Sequence, residues 1–121
     1  MDKRTYEALL GSITKWESIV AGFLKNKGAH NCPLCKMFND SFSNECAGCP
    51  VKDKTGAPYC IDSPYKEYEE REDYFISTFD IVFLDLNDKR LTDEQKKELR
   101  SLAQAELDFL RSLLPTEEPK A

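Results

Sequence analysis

All five cysteines of the chain fall between Cys32 and Cys60. The window reads Cys32-Pro-Leu-Cys35, ten residues, Cys46-Ala-Gly-Cys49-Pro50, ten more residues, Cys60. Asn31, Pro33, Asn39, Asp40, Asn44, Gly48, Pro50, Gly56 and Pro58 interrupt any helical or strand period across it. A structureless loop of that length is unusual in a compact domain, so something other than a backbone ladder has to hold it. Clustered thiols are the available means.

Two Cys-x-x-Cys knuckles each deliver two thiolates at a spacing that lets both reach one cation. Zinc takes four such ligands in a tetrahedron, with sulfur at about 2.3 Å. The simplest set is Cys32, Cys35, Cys46 and Cys49. Cys60 stands as an alternative ligand or a packed apolar thiol. His30, two positions before Cys32, is either a nitrogen ligand or a solvated loop histidine. The rival occupant is a [4Fe-4S] cluster, which also takes four thiolates, and Cys49-Pro50 has the proline that follows a ligand cysteine in ferredoxins. A redox-active Cys-x-x-Cys normally opens a helix within a strand–helix unit, and neither pair shows that pattern.

The flanks read as helices. Over residues 3 to about 26, Tyr6, Leu9, Leu10, Ile13, Trp16, Val20, Phe23 and Leu24 form one apolar stripe. Lys3, Glu7, Lys15 and Glu17 fall outside it, and Gly28 offers the left-handed stop. A second helix spans 63 to about 86, capped by Ser63 and opened by Pro64, with Tyr65, Tyr68, Phe75, Phe79, Val82 and Leu86 facing a core. Glu72 interrupts that stripe. After a short connector, Leu86 to Arg90, Thr92 and Gln95 make a capping box for a third helix carrying Leu99, Leu102, Ala103, Leu107, Leu110 and Leu114, ended by Pro115. Within the cysteine window, a helical turn over Lys36 to Phe42 and a small hairpin around Lys54-Thr-Gly56 are the local elements expected.

The predicted fold is therefore mainly α. Three helices enclose a core, and a metal-stapled, zinc-knuckle-like loop at 29–62 is inserted between the first and second. Residues 1–115 form one helical domain and 116–121 a disordered tail. A chain of 121 residues is large enough for a core of its own.

The net charge of -5 disfavours general polyanion binding. Residues 25–54 are the basic part, with five lysines against Asp40, Glu45 and Asp53. Lys36, Lys52 and Lys54, interleaved with Phe38, Phe42 and Tyr59, have the composition of a nucleic-acid knuckle, and equally that of a soluble roof over a metal. The charged start reads as no signal peptide, and no window is apolar enough to span a membrane. The expected compartment is a reducing cytoplasm, where clustered cysteines bind metal more often than they form disulfides. No Gly-rich phosphate loop is present, and one histidine cannot make a two-histidine catalytic motif. A closed thiolate set points to a non-enzymatic interaction module, with a protein as the expected partner.

Trp16, Cys32, Cys35, Cys46, Cys49, Pro50, Cys60, Pro64 and Tyr65, in that order, resemble a pattern found in short cysteine-rich proteins of uncharacterised role encoded by bacteriophages and prophages. The resemblance covers most of the chain. It implies a bacterial host cytoplasm and a fifth cysteine that belongs to the pattern. It implies no activity.

Overall fold

The structure, a computed structural model, describes residues 1–38, 48–56, 60 and 62–118, with the backbone alone at 29 and 30. Among the described residues the regular structure is helical: α1 (Lys3–Val20), a 3-10 turn (Gly28–Asn31), α2 (Pro33–Phe38), α3 (Pro50–Thr55), α4 (Tyr65–Phe79) and α5 (Asp93–Ser112). None of these helices is long and apolar enough to cross a membrane.

Each long helix begins on a local signal. Asp2 accepts the Thr5 N–H at 2.7 Å to open α1. Ser63 Oγ accepts the Tyr65 N–H at 3.3 Å at the start of α4. Thr92 and Gln95 close the expected reciprocal box on α5, at 2.9 and 3.1 Å.

The ends differ from expectation. The first helix stops at Val20, not near residue 26, because Gly22 already takes the left-handed conformation (φ +85°). A Cβ there would lie 2.5 Å from Asn87 Nδ2, so the turn needs glycine twice over. Phe23 consequently leaves the stripe and is 84% exposed. The second helix ends at Phe79, not near residue 86. Asp80 adopts φ +55°, and the Ile81 N–H reaches back to the Ile76 carbonyl at 3.1 Å, a Schellman-type closure. The connector thus runs from 80 to 92 and is not short. Leu84, Leu86 and Leu91 are buried from this irregular segment, where a helical stripe was expected. In the cysteine window α2 starts at Pro33, earlier than expected, and residues 39–42 lie outside the described residues. Around Lys54 the hairpin is replaced by α3, closed by Gly56 at φ +80°.

The core unites Leu9, Ile13, Trp16 and Ile19 of α1 with Tyr68 and Phe75 of α4 and Leu99, Ala103, Leu107 and Leu110 of α5. Trp16 meets the rings of Tyr65 and Tyr68 edge-on, with centroids 5.7 and 5.1 Å away. Each such large side chain contributes about 1.5–3 kcal/mol on leaving water. Arg111 on α5 bonds Glu17 on α1 at 3.0 Å, and Arg71 on α4 pairs with Glu98 on α5, both at the surface. α2 lies on α1 where Gly11 permits it: a Cβ at that position would sit 2.9 Å from Pro33 Cγ.

A candidate thiolate centre

The floor of the cysteine region is the face of α1 carrying Gly11, Ser12 and Lys15. Gly11 admits Pro33, so α2 approaches closely. The Ser12 hydroxyl then accepts the Leu34 N–H at 3.3 Å, satisfying one of the orphan donors of the first turn of α2. Its oxygen is also 3.8 Å from Cys32 Sγ. Cys32 immediately precedes α2, and its sulfur accepts the backbone N–H of Cys35 at 3.4 Å. The first Cys-x-x-Cys unit is therefore a turn with a backbone amide aimed at the Cys32 sulfur.

Lys15, expected on the solvent side, is buried at 5% exposure. Its ammonium donates to the Gly28 carbonyl at 3.2 Å. Among the described residues it has no carboxylate within ion-pair distance. Burial lowers its pKa, and the opposing pulls come from Cys32 and Cys35, then from Glu72 and Cys60. Three thiols thus share one buried cation as electrostatic neighbour.

Cys32 and Cys35 divide one proton between them. The Cys35 thiol donates to Cys32, and this, with the Cys35 N–H, the Lys15 ammonium and the Ser12 hydroxyl, outweighs burial and brings Cys32 down to about 6. Cys35, the donor, is pushed up by that same bond and by burial. The shared proton thus favours the anion on Cys32 and the thiol on Cys35.

Two buried acids lie close by. Burial raises Glu72, 4% exposed, to about 7, although Asn26 donates to it at 3.2 Å. Burial, then the neighbouring Cys32, raises Glu106, 2% exposed, to about 8. Glu72 Oε2 and Glu106 Oε1 find no hydrogen-bond partner among the described residues. Burial disfavours the charged form of both carboxyls, which weakens their competition with the thiols for Lys15.

The remaining expected ligands are placed as follows. Cys49 is buried in the core directly before α3. Gly48 beside it is against the ring of Phe38, where a Cβ would be 3.3 Å from the ring edge, so residue 48 abuts the end of α2. Cys60 is half-buried against the core in a left-handed conformation, φ +61°. Cys46 lies outside the described residues, as does the side chain of His30, whose backbone belongs to the 3-10 turn. Among the described residues no three His, Cys, Asp or Glu side chains come close enough together to hold a metal ion. Lys36 and Lys54 are exposed and Lys52 half-buried, on α2 and α3.

Sequence reading passed over Ser12 and Lys15. Their one available signal is the short spacing Gly11, Ser12, Lys15 on a face next to the apolar stripe. Comparison with protein-family models, curated proteins and solved structures gave no match to this chain.

Proposed function

We propose that the protein is a small metal–thiolate protein whose centre has a structural role, with no reaction of its own, and which acts by binding a protein. The observation that supports this is Lys15: a buried ammonium without a carboxylate partner among the described residues, with Cys32 and Cys35 foremost among the charges that act on it. A tetrathiolate zinc site is a dianion, and a buried lysine is the counter-charge it calls for. Cys32 and Cys35 supply the first two ligands, and Cys46 with Cys49 or Cys60 the others. The Cys35 amide and Ser12 act on the ligand sulfur from the second sphere. Metal binding then contributes the folding energy that the 29–62 segment lacks. The cysteine pattern fits a phage- or prophage-encoded protein working in a bacterial cytoplasm.

Elemental analysis and a visible spectrum of anaerobically purified protein test the reading. One zinc per chain and a colourless sample are expected. Iron with a brown colour bleached by dithionite selects the [4Fe-4S] alternative. Protein without any metal overturns both.

A second reading, thiol–disulfide exchange at Cys32 and Cys35, is favoured by one observation. Cys32 stands directly before the short helix α2 and accepts the Cys35 amide, an arrangement that stabilises a thiolate. Reduction of an insulin disulfide by the metal-free protein, lost in Cys32→Ser, would establish it. The nucleic-acid reading, through Lys36, Lys52 and Lys54, requires binding that weakens with salt.

A further inference from the structure

The loop after α1 alternates. Phe23, Lys25 and Lys27 point outward, while Leu24 is half-buried and Asn26 is buried. Asn26 bonds Tyr65 and Glu72 at 3.2 Å each, which fixes the loop from within. The facing segment is the connector between α4 and α5, where Val82 is 73% exposed. The two segments are tied to each other. Asn87 Nδ2 donates to the Gly22 carbonyl at 3.1 Å, and the Lys27 ammonium sits 5.4 Å over the Phe83 ring. Phe23 and Val82, the two most exposed large apolar side chains among the described residues, therefore stand on neighbouring, internally anchored stretches of backbone.

Charge marks the same surface. Residues 20–28 carry Lys25 and Lys27 and no acid. The connector adds Lys89 and Arg90, and Arg100 reaches across from α5 to the Val20 carbonyl at 3.1 Å. Against these five cations stand Asp80, Asp85 and Asp88, of which Asp88 is held by Arg90 through two bonds, at 2.9 and 2.6 Å. A basic surface with apolar side chains is thus set on a chain of net charge -5. A single exposed Phe needs no explanation. A Phe and a Val on pinned, neighbouring segments that carry more cations than acids, in an acidic protein, meet the requirements of a preorganised contact.

We infer that this surface docks an acidic protein segment that carries an apolar anchor residue. The anchor covers Phe23 and Val82, and flanking carboxylates meet Lys25, Lys27 and Arg100. Nucleic acid fits less well, because the acidic remainder of the chain repels a continuous phosphate backbone and Val82 offers no ring for a base. The inference rests on the reading of the chain as a protein-binding module and is independent of the metal.

The test is an amide NMR titration of the full-length protein with short synthetic peptides holding one Leu or Phe among Asp and Glu. Lysine-flanked peptides and oligo-dT serve as comparison probes. Saturable shifts at residues 22–28 and 82–90 with the acidic peptides, weakening as salt rises, are expected. Phe23→Ser is expected to weaken binding roughly tenfold or more, and the pair Lys25→Glu with Lys27→Glu by a similar factor, with the salt dependence reduced. All three side chains are exposed, but Lys27→Glu also removes the contact with the Phe83 ring; Lys25→Glu alone, which leaves that contact in place, serves as its control, and unfolding curves check that each variant folds. Absence of saturable binding, shifts elsewhere, or stronger binding of oligo-dT at these amides each overturns the proposal. Metal content measured on the same sample separates the two readings. Bound metal without peptide binding removes this inference alone, and peptide binding without metal removes the thiolate centre alone.

Discussion

The Ser12 hydroxyl on α1 accepts the Leu34 N–H of α2 at 3.3 Å, in the interior, while standing 3.8 Å from the Cys32 sulfur. One short side chain thus closes a helix start and touches a candidate ligand. Ser12→Ala leaves that N–H buried without an acceptor, at a cost of about 1–3 kcal/mol. Urea denaturation is expected to show this loss. Unchanged stability would mean that the bond contributes nothing.

Lys15→Met keeps the length and the packing of the stem and removes the charge. Metal affinity, measured by competition with a chromophoric chelator, is expected to fall roughly 10–100-fold, the usual effect of losing an outer-sphere partner. Helical content should be retained. Unaltered affinity would show that the ammonium does not act as counter-charge to the thiolates.

Glu72 gives stability a pH dependence of known sign. Its folded pKa, about 7, is raised above the ordinary glutamate value of 4.5, first of all by burial. The folded state therefore holds a proton that the unfolded chain releases. Stability from this source is complete below about 4.5 and is lost as pH rises through about 7, by an amount on the order of 3 kcal/mol. Denaturation midpoints at a series of pH values should decline across that window. Glu72→Gln, neutral throughout, should flatten the decline, and a profile that rises there for the wild type would contradict the assignment.

Cys60 combines a thiol with a left-handed backbone, φ +61°. Two substitutions separate these properties. Cys60→Ala loses the sulfur and keeps the strain; Cys60→Gly loses both. The glycine variant is expected to be about 1 kcal/mol more stable than the alanine variant. If Cys60 is a ligand, both lose metal affinity equally, and retention of full affinity in either would remove it from the set.

What could be read from the residues alone follows from how local each cause is. The Thr92–Gln95 box lies within four residues and is satisfied inside its own helix, so the start of α5 was legible. The end of α1 was not. Phe23 and Leu24 continue the apolar stripe in phase, and only the contact of Gly22 with Asn87, far along the chain, shows why the helix stops short. The end of α4 was hidden by Asp80, which takes the left-handed position usually left to glycine, and by Leu84 and Leu86, whose spacing imitates a further turn. Cys32 and Cys35 stand out in the sequence as a Cys-x-x-Cys pair. The floor beneath them does not, because Lys15 is an ordinary surface residue in any window of sequence and becomes an interior cation only when α2 covers it.

The leucines of the connector have a further bearing on how this protein tolerates cutting and rearrangement. Leu84 and Leu86 are wholly enclosed and Leu91 nearly so. The link between α4 and α5 is thus a wall of the interior rather than a tether. A protease nick or a circular permutation opened at 84–86 would have to expose that wall, whereas the exposed Lys89 offers a place for new termini without doing so. Nor can α5 be exchanged between two copies unless this wall comes out with it, which disfavours domain swapping of that helix.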